Sequence, residues 1–242
     1  MLSVLDTFSG IGGFSYGLEM LCGGYKTVAF CEVDEYCRKV LAKHWPDVPC
    51  YGDIKEVTVE RLREDGLMPI DLVCGGFPCQ DISVAGKGAG IQGERSGLWA
   101  ELCRLIGEIR PRWAVMENVS ALLGRGLGTV LGDLAAIGYD AEWHCIPASC
   151  VGAPHHRDRV WIVANNNDAG LQGLREYLKC ARKRTTWAGF QEQDWSQPNP
   201  ALWREPDGIP ARIHRLKCLG NGIVPQVVAI IGKAILENEV SS

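Results

Sequence analysis

Hydrophobic positions in the first two-thirds of the chain gather into short β-rich runs that alternate with helical stretches. "LSVLDTF" (2–8) predicts a strand, followed by "SGIGG" and a helix over about 13–22. "TVAFCEV" (27–33) predicts a second strand, and "DEYCRKVLAKHW" reads as an amphipathic helix behind it. "DLVCGG" (71–76) and "RWAVMENV" (112–119) predict two more strands, each followed by a helical stretch, at 98–109 and 128–138. "AEWHCI" and "DRVWIVA" close the series as strands. This alternation predicts an α/β sheet covered by helices on both faces. The pattern stops after Ala164. "NNNDAG" is a turn cluster, and the text to Pro206 is polar, rich in Trp, Gln, Arg and Pro, without a clear period. "IVPQVVAIIGKAILENEV" (223–240) returns to an apolar helix begun by a proline. No internal repeat or low-complexity tract is visible.

Composition narrows the class. A chain of 242 residues that is 46% hydrophobic and 22% charged can bury a core without staples. No stretch approaches the roughly 20 apolar residues of a membrane span, and the N-terminus lacks a signal-peptide pattern, so the expected address is the cytoplasm, with no membrane partner. The 11 cysteines are odd in number and scattered, without a C-x-x-C pair or zinc-finger spacing. Most are expected to act as small buried hydrophobes, and no metal is implied. A net charge of −4 argues against a uniformly basic coat but leaves room for a local basic stripe.

Two places carry candidate chemistry. The first is the strand–"FSGIGG"–helix unit, a glycine-rich turn where a ligand can meet backbone N–H groups at a helix start. Glu32 ends the next strand, where an acid commonly binds ribose hydroxyls. The spacing is not G-x-G-x-x-G, so NAD, a nucleotide and S-adenosylmethionine all stay open. Asp53 in "GDI" could meet an adenine amino group, although such a tripeptide is more often just a turn.

The second is "GGFPCQDIS" (75–83). A thiol is a useful nucleophile when it is exposed on a constrained turn with its charge stabilised nearby. Pro78 stiffens the approach to Cys79, and Gly75 and Gly76 leave room for a substrate. Glu117 in "MENV" falls beside Cys79 if both strands point their C-terminal ends at one crevice. Arg157 and Arg159 lie two apart, hence on one face of a strand. Thiol, carboxyl and guanidinium meeting at strand ends make covalent catalysis a reasonable expectation.

At this point the chain resembles the cytosine-C5 DNA methyltransferases. "DTFSGIGGFSYGLE" is similar to the family's S-adenosylmethionine loop and "GGFPCQDIS" to its nucleophile loop. "GERSGLW", "ENV", "APHHRDRVWIVA" and "LGNGIVPQVV" match further blocks in the family's order. The resemblance covers roughly 1–164 and 207–235. It implies a Rossmann-like S-adenosylmethionine-dependent sheet, a small irregular recognition segment, and a C-terminal helix folding back onto the sheet. The expected division is a catalytic and cofactor-binding domain at 1–164, a short target-recognition segment at 165–206, and a completing segment at 207–242.

By the same resemblance Cys79 adds to C6 of a flipped-out cytosine, Glu117 binds N3 and the exocyclic amine, Arg159 holds the C2 oxygen, and Arg157 supports the pocket. The cofactor would meet Phe8, Gly10, Gly12, Glu32, Asp53, Ile54, Pro78, Leu98 and Asn221, and would leave as S-adenosylhomocysteine. The expected partner is double-stranded DNA, met by a monomer, in a restriction–modification setting with a cognate endonuclease or a helper protein for recognition.

Two departures qualify the match. His155 and His156 stand where the family usually has glutamine after the proline. The interval before the last block is shorter than usual, which implies relaxed specificity or help from a partner. Within it Arg175, Lys179, Arg182, Lys183 and Arg184 could neutralise phosphates, as could Arg212, His214 and Arg215 beyond it. Trp187, Phe190 and Trp195 could stack on bases or fill a small core. Alternative readings are an RNA cytosine methyltransferase on the same scaffold, an inactive DNA-binding homologue, and a nicotinamide dehydrogenase resting on the glycine loop alone.

Overall fold

A computed structural model describes residues 1–78, 97–153, 155–166 and 220–241. Cys79, the span 167–219 with its eight basic candidates, and Pro154 lie outside the described residues. Among those described, seven strands form one sheet in the order β3-β2-β1-β4-β5-β7-β6. They are β1 (Leu2–Thr7), β2 (Tyr25–Cys31), β3 (Cys50–Tyr51), β4 (Leu72–Gly75), β5 (Trp113–Val119), β6 (Asp140–Pro147) and β7 (Asp158–Asn165). The first five run parallel, whereas β7 is antiparallel to both of its neighbours, β5 and β6.

The helices are α1 (Gly13–Ser15), continued by a π-helix at Tyr16–Cys22, α2 (Glu35–His44), α3 (Val59–Glu64), α4 (Gly97–Ile109), α5 (Leu122–Arg125), α6 (Leu127–Ala136) and α7 (Pro225–Ser241). Local chemistry sets their starts. Asp34 caps α2 by accepting from Tyr36 N and Cys37 N at 2.9 and 3.2 Å, and Thr58 caps α3 by accepting from Arg61 N at 3.2 Å.

Strand alternation sorts the core onto two faces. Leu5, Val73, Ala114, Met116 and Ile162 pack with Leu102 and Ile106 of α4 on one face. Val4, Leu72, Val115, Trp161 and Val163 pack with Val228 and Ile231 of α7 on the other. Burial on both sides is why these strands read as nearly unbroken apolar runs. The C-terminal helix folds back as expected. Tyr25 Oη donates to the Gly232 carbonyl at 2.7 Å, Trp113 Nε1 donates to Glu239 at 2.8 Å, and Arg112 pairs with Glu239.

Three features depart from the sequence expectation. β2 begins at Tyr25 rather than at residue 27. β3, α3 and α5 were not foreseen, because two to six residues are too few to display a period. The expected helix at 13–22 relaxes into a wider π turn, which re-aims Glu19. Its Oε1 accepts from Thr27 N, and its Oε2 from Trp45 Nε1 at 2.8 Å. No helix among the described residues is long and apolar enough to cross a membrane.

Candidate active site

The parallel strands end at one edge of the sheet, where an open α/β sheet offers its crevice. β1 leads there into the glycine loop. Phe8, Gly10 and Gly12 all have positive φ, at 50°, 55° and 84°. These left-handed residues turn the chain sharply before α1, and the Gly12 N–H closes the turn onto Ser9 O at 2.9 Å. Gly10 N donates to Glu32 Oε2 at 2.7 Å, while Glu32 Oε1 accepts from Asp34 N at 2.8 Å. A carboxylate has about four acceptor sites, so Glu32 keeps capacity for two hydroxyls while holding the loop. The next residue, Val33, is 80% exposed, an apolar surface beside that acid which sequence reasoning passed over.

Asp53 is exposed and caps a 3-10 turn, Ile54–Glu56, by accepting from Lys55 N at 3.0 Å. The Ile54 side chain is different: it is 3% exposed and packs in the core, so only its backbone can face a ligand. Arg104 of α4 pins this turn, donating to the carbonyls of Ile54 and Val57 at 3.2 Å each. Leu98 is half-buried against the same core, and Pro78 is exposed at the mouth of the β4 loop.

The second part of the site forms where β5 meets β7. In their antiparallel register Val119 faces Arg159, which places Glu117 diagonally across from Arg159 on the same face of the sheet. Arg159 Nε donates to Glu117 Oε1 at 2.8 Å, with the carboxyl side chain only 12% exposed. Burial raises the Glu117 pKa above the ordinary carboxylate value, and the Arg159 and Arg157 charges oppose that rise. Beside them runs the stem of the Cys79 loop. A Cβ added at Gly76 would lie 3.2 Å from Glu117 Oε2 and 3.3 Å from Ile223, so the bare glycine lets the loop stem run close to the carboxylate without displacing either side chain. Asn118 steadies the stem from the opposite face, its Nδ2 donating to the Phe77 carbonyl at 3.1 Å. That residue was quoted in "ENV" without a role. Its signal was available: a polar side chain buried in a strand must find a partner.

One expectation is corrected. Arg157 and Arg159 were expected to share a strand face by their spacing. Arg157 instead precedes β7 and has φ 39°, so the extended alternation does not reach it. Its guanidinium turns to the C-terminal segment, donating to Gly220 O at 2.6 Å and Gly222 O at 2.8 Å. Those carbonyls bracket Asn221, which is exposed. His155 and His156 are exposed as well.

Several of the described cysteines are made poorer nucleophiles by burial. Burial pushes Cys22 and Cys103 up to about 11 and Cys31 to about 12, and raises Cys74 further in contact with Asp6. Beneath the glycine loop Asp6 is wholly buried. Its Oδ2 accepts from Ser15 N at 3.2 Å and Ser15 Oγ at 2.7 Å, while Oδ1 has no hydrogen-bond partner.

Sheet order and crevice define the class: an α/β protein of the Rossmann-like methyltransferase type, with β7 inserted antiparallel. Within that class the chain belongs to the C-5 cytosine-specific DNA methylase family, whose model matches residues 2–203. The type II methyltransferase M2.BsuMI of Bacillus subtilis is 40% identical over 172 residues, which cover 68% of this chain and 42% of that protein. M.HpaII of Haemophilus parainfluenzae is 33% identical over 195 residues, covering 78% and 52%. The chain thus spans about half the length of the curated relatives it matches. Among solved structures, the Entamoeba histolytica methyltransferase EhMeth superposes with a TM-score of 0.71 over 98% of each chain at 14% identity. The Dnmt2 methyltransferase of S. pombe gives 0.59 over 73% of this chain and 54% of its own at 18% identity. At those identities the likeness is one of fold.

Proposed function

We propose that the chain transfers a methyl group from S-adenosylmethionine to C5 of cytosine in double-stranded DNA, through a covalent adduct between Cys79 and C6 of a flipped-out base. The observation that carries this reading is the buried Glu117–Arg159 pair, with the glycine stem of the Cys79 loop passing against its carboxylate.

The cleft suits the cofactor: the loop is open in front of Gly10, Glu32 retains acceptors for ribose hydroxyls, and Val33 offers an apolar surface. When bound, the cofactor supplies a sulfonium-activated methyl group. Cys79 attacks C6 as a thiolate and pushes electron density onto C5. Glu117, with its raised proton affinity, holds the exocyclic amine and shares a proton with N3, which drains charge from the ring as sulfur adds. Arg159 reaches the C2 oxygen from the carboxylate it already holds. C5 takes the methyl group as the S–CH3 bond breaks and S-adenosylhomocysteine is left; C5 then gives its proton to solvent, N3 returns its proton to Glu117, the C5–C6 double bond re-forms and the thiolate departs. Extruding the base costs a few kcal/mol. Arg157 keeps the segment carrying Asn221 against the pocket. In this reading 1–164 and 207–242 form the catalytic unit, 165–206 meets the target, a monomer acts in the cytoplasm, and a cognate endonuclease or helper protein accompanies it.

Labelled S-adenosylmethionine offered with duplex DNA or total tRNA tests the reading. Methyl uptake by DNA is expected, and uptake by tRNA alone would transfer the reading to RNA. DNA carrying 5-fluorocytosine is expected to trap an adduct at Cys79, because fluorine cannot leave as a proton does. An active chain that forms no adduct would exclude the covalent route.

A further inference from the structure

The geometry points to Trp45 as a positioning residue for the cofactor loop, its indole serving as the fixed wall against which Gly12 is set; this rests on reading that loop as the cofactor site. The two positive-φ glycines of the loop differ in what surrounds them. A Cβ added at Gly10 would meet nothing within 4 Å, so this side of the loop is open to a ligand. A Cβ at Gly12 would lie 2.6 Å from Trp45 Cζ3, 2.8 Å from Cη2 and 3.1 Å from Leu41 Cδ2. The loop therefore has an open front and a back pressed onto the indole.

Trp45 is itself held by two contacts of its indole and one of its backbone. Its Nε1 donates to Glu19 Oε2 at 2.8 Å, and the other Glu19 oxygen accepts from Thr27 N of β2. Its ring meets Phe30 of β2 edge-on, with centroids 5.4 Å apart and planes at 64°. Its backbone N donates to Leu41 O at 2.7 Å, closing the end of α2. Trp45 belongs to neither of the two core clusters that cover the sheet. Its packing serves the loop, α2 and the π-helix, not the main core. The π turn matters here because it aims Glu19 at both Thr27 and the indole. Strand β2, which carries Glu32 at its end, and the glycine loop are thereby referenced to one rigid side chain. Displacing the ring lets Gly12 settle backwards, and the Gly10 turn loses its register with the Glu32 carboxylate to which its N–H donates.

The test uses the full chain and titrates S-adenosylhomocysteine by calorimetry. Trp45→Ala is expected to weaken binding by about tenfold or more, to raise KM for S-adenosylmethionine in parallel, and to change kcat at saturating cofactor far less. Trp45→Phe, which keeps an aromatic wall, is expected to recover most of the affinity. A double-mutant cycle supplies the sharper arm. Gly12→Ala should cost less affinity in the Trp45→Ala background than in the wild type, because the added methyl group no longer meets the ring. Additive losses, or a Trp45→Ala chain that binds like the wild type, would overturn the role of Trp45 while leaving the cofactor reading intact. A wild-type chain that binds no S-adenosylhomocysteine would overturn the cofactor reading itself, and this inference with it.

Discussion

The contacts that shape Gly10 and Gly12 come from Glu32 and Trp45, a few dozen positions along the chain, whereas Arg157 completes the other end of the crevice by reaching Gly220 and Gly222, 63 and 65 positions away. The end proposed for the cofactor is built largely from backbone: left-handed turns closed by their own N–H groups, and one acid that ties loop to strand. The base end is built from charged side chains that three separated segments bring together. A backbone-built site tolerates little change of residue at its turns but needs few identities elsewhere. A side-chain-built site depends on each partner being present and placed, and that placement is inherited from the antiparallel insertion of β7. Damage at the first end should therefore appear as lost cofactor affinity, and damage at the second as lost turnover.

Glu117→Gln probes this division most strongly. It keeps the volume and one acceptor but removes the proton affinity that burial creates. Methyl transfer to duplex DNA is expected to fall by about 10²–10³-fold, the range for losing an acid–base group or a preorganised charge. S-adenosylhomocysteine affinity should stay within about twofold. Parallel initial-rate and calorimetric measurements check it, and equal losses in both would mean that the two ends do not act separately.

Gly12→Ala attacks the other end. A left-handed φ of 84° costs an alanine about 1–2 kcal/mol, and the methyl group must displace the Trp45 ring as well. About 2–4 kcal/mol of unfolding free energy should be lost in urea titrations, with cofactor affinity falling alongside. A variant as stable as the wild type would mean that the indole gives way freely.

The same contrast explains what could be read from the sequence. The glycine loop and Glu32 announce themselves within short windows, since turn chemistry is local. Glu117 and Arg159 were found through their motif blocks, and the β5–β7 register brings them into contact. Arg157 was misjudged because a two-residue spacing implies a shared face only inside a continuous strand, and the chain at Arg157 is not extended. The antiparallel course of β7 was equally hidden: a strand buried on both faces has the same apolar run in either direction. Asp6 escaped notice for a related reason. In "LSVLDTF" a lone acid looks like the solvent side of a strand, but this strand has no solvent side.

Asp6 makes that last point measurable. Burial first of all, helped by Glu32 and Glu19 and opposed by its hydrogen bonds to Ser15, raises its pKa from 3.8 to about 7. The folded chain thus holds a proton that the unfolded chain releases near 3.8. The stabilisation is fully present below that value and is lost as pH rises through about 7, at up to about 1.4 kcal/mol per pH unit. Asp6→Asn cannot ionise and should flatten this slope, while its amide oxygen still accepts from Ser15. Glu117 contributes a slope of the same sign, which the variant keeps. Urea unfolding at pH 5, 6, 7 and 8 checks the expectation, and identical profiles for the two chains would refute it.

Arg157→Lys is expected to have the smallest effect, and it tests whether the long-range end is held by a fork or merely by charge. The guanidinium bonds two carbonyls that flank Asn221, at 2.6 and 2.8 Å. A lysine keeps the positive charge near Glu117 but cannot span both acceptors in a planar fork. Loss of one or both bonds should cost about 1–2 kcal/mol, because each joins a charged donor to a carbonyl. The loss should be local. Amide exchange at 222–224 should quicken while the strands of the sheet keep their protection, since Tyr25 and Trp113 still anchor α7. In the proposed reaction this loosening should raise KM for the cofactor more than it lowers kcat, because Asn221 is the residue released and the Glu117–Arg159 pair remains in place. A fall in kcat with unchanged exchange at 222–224 would instead assign Arg157 to the base pocket directly, and the division between the two ends would have to be redrawn through it.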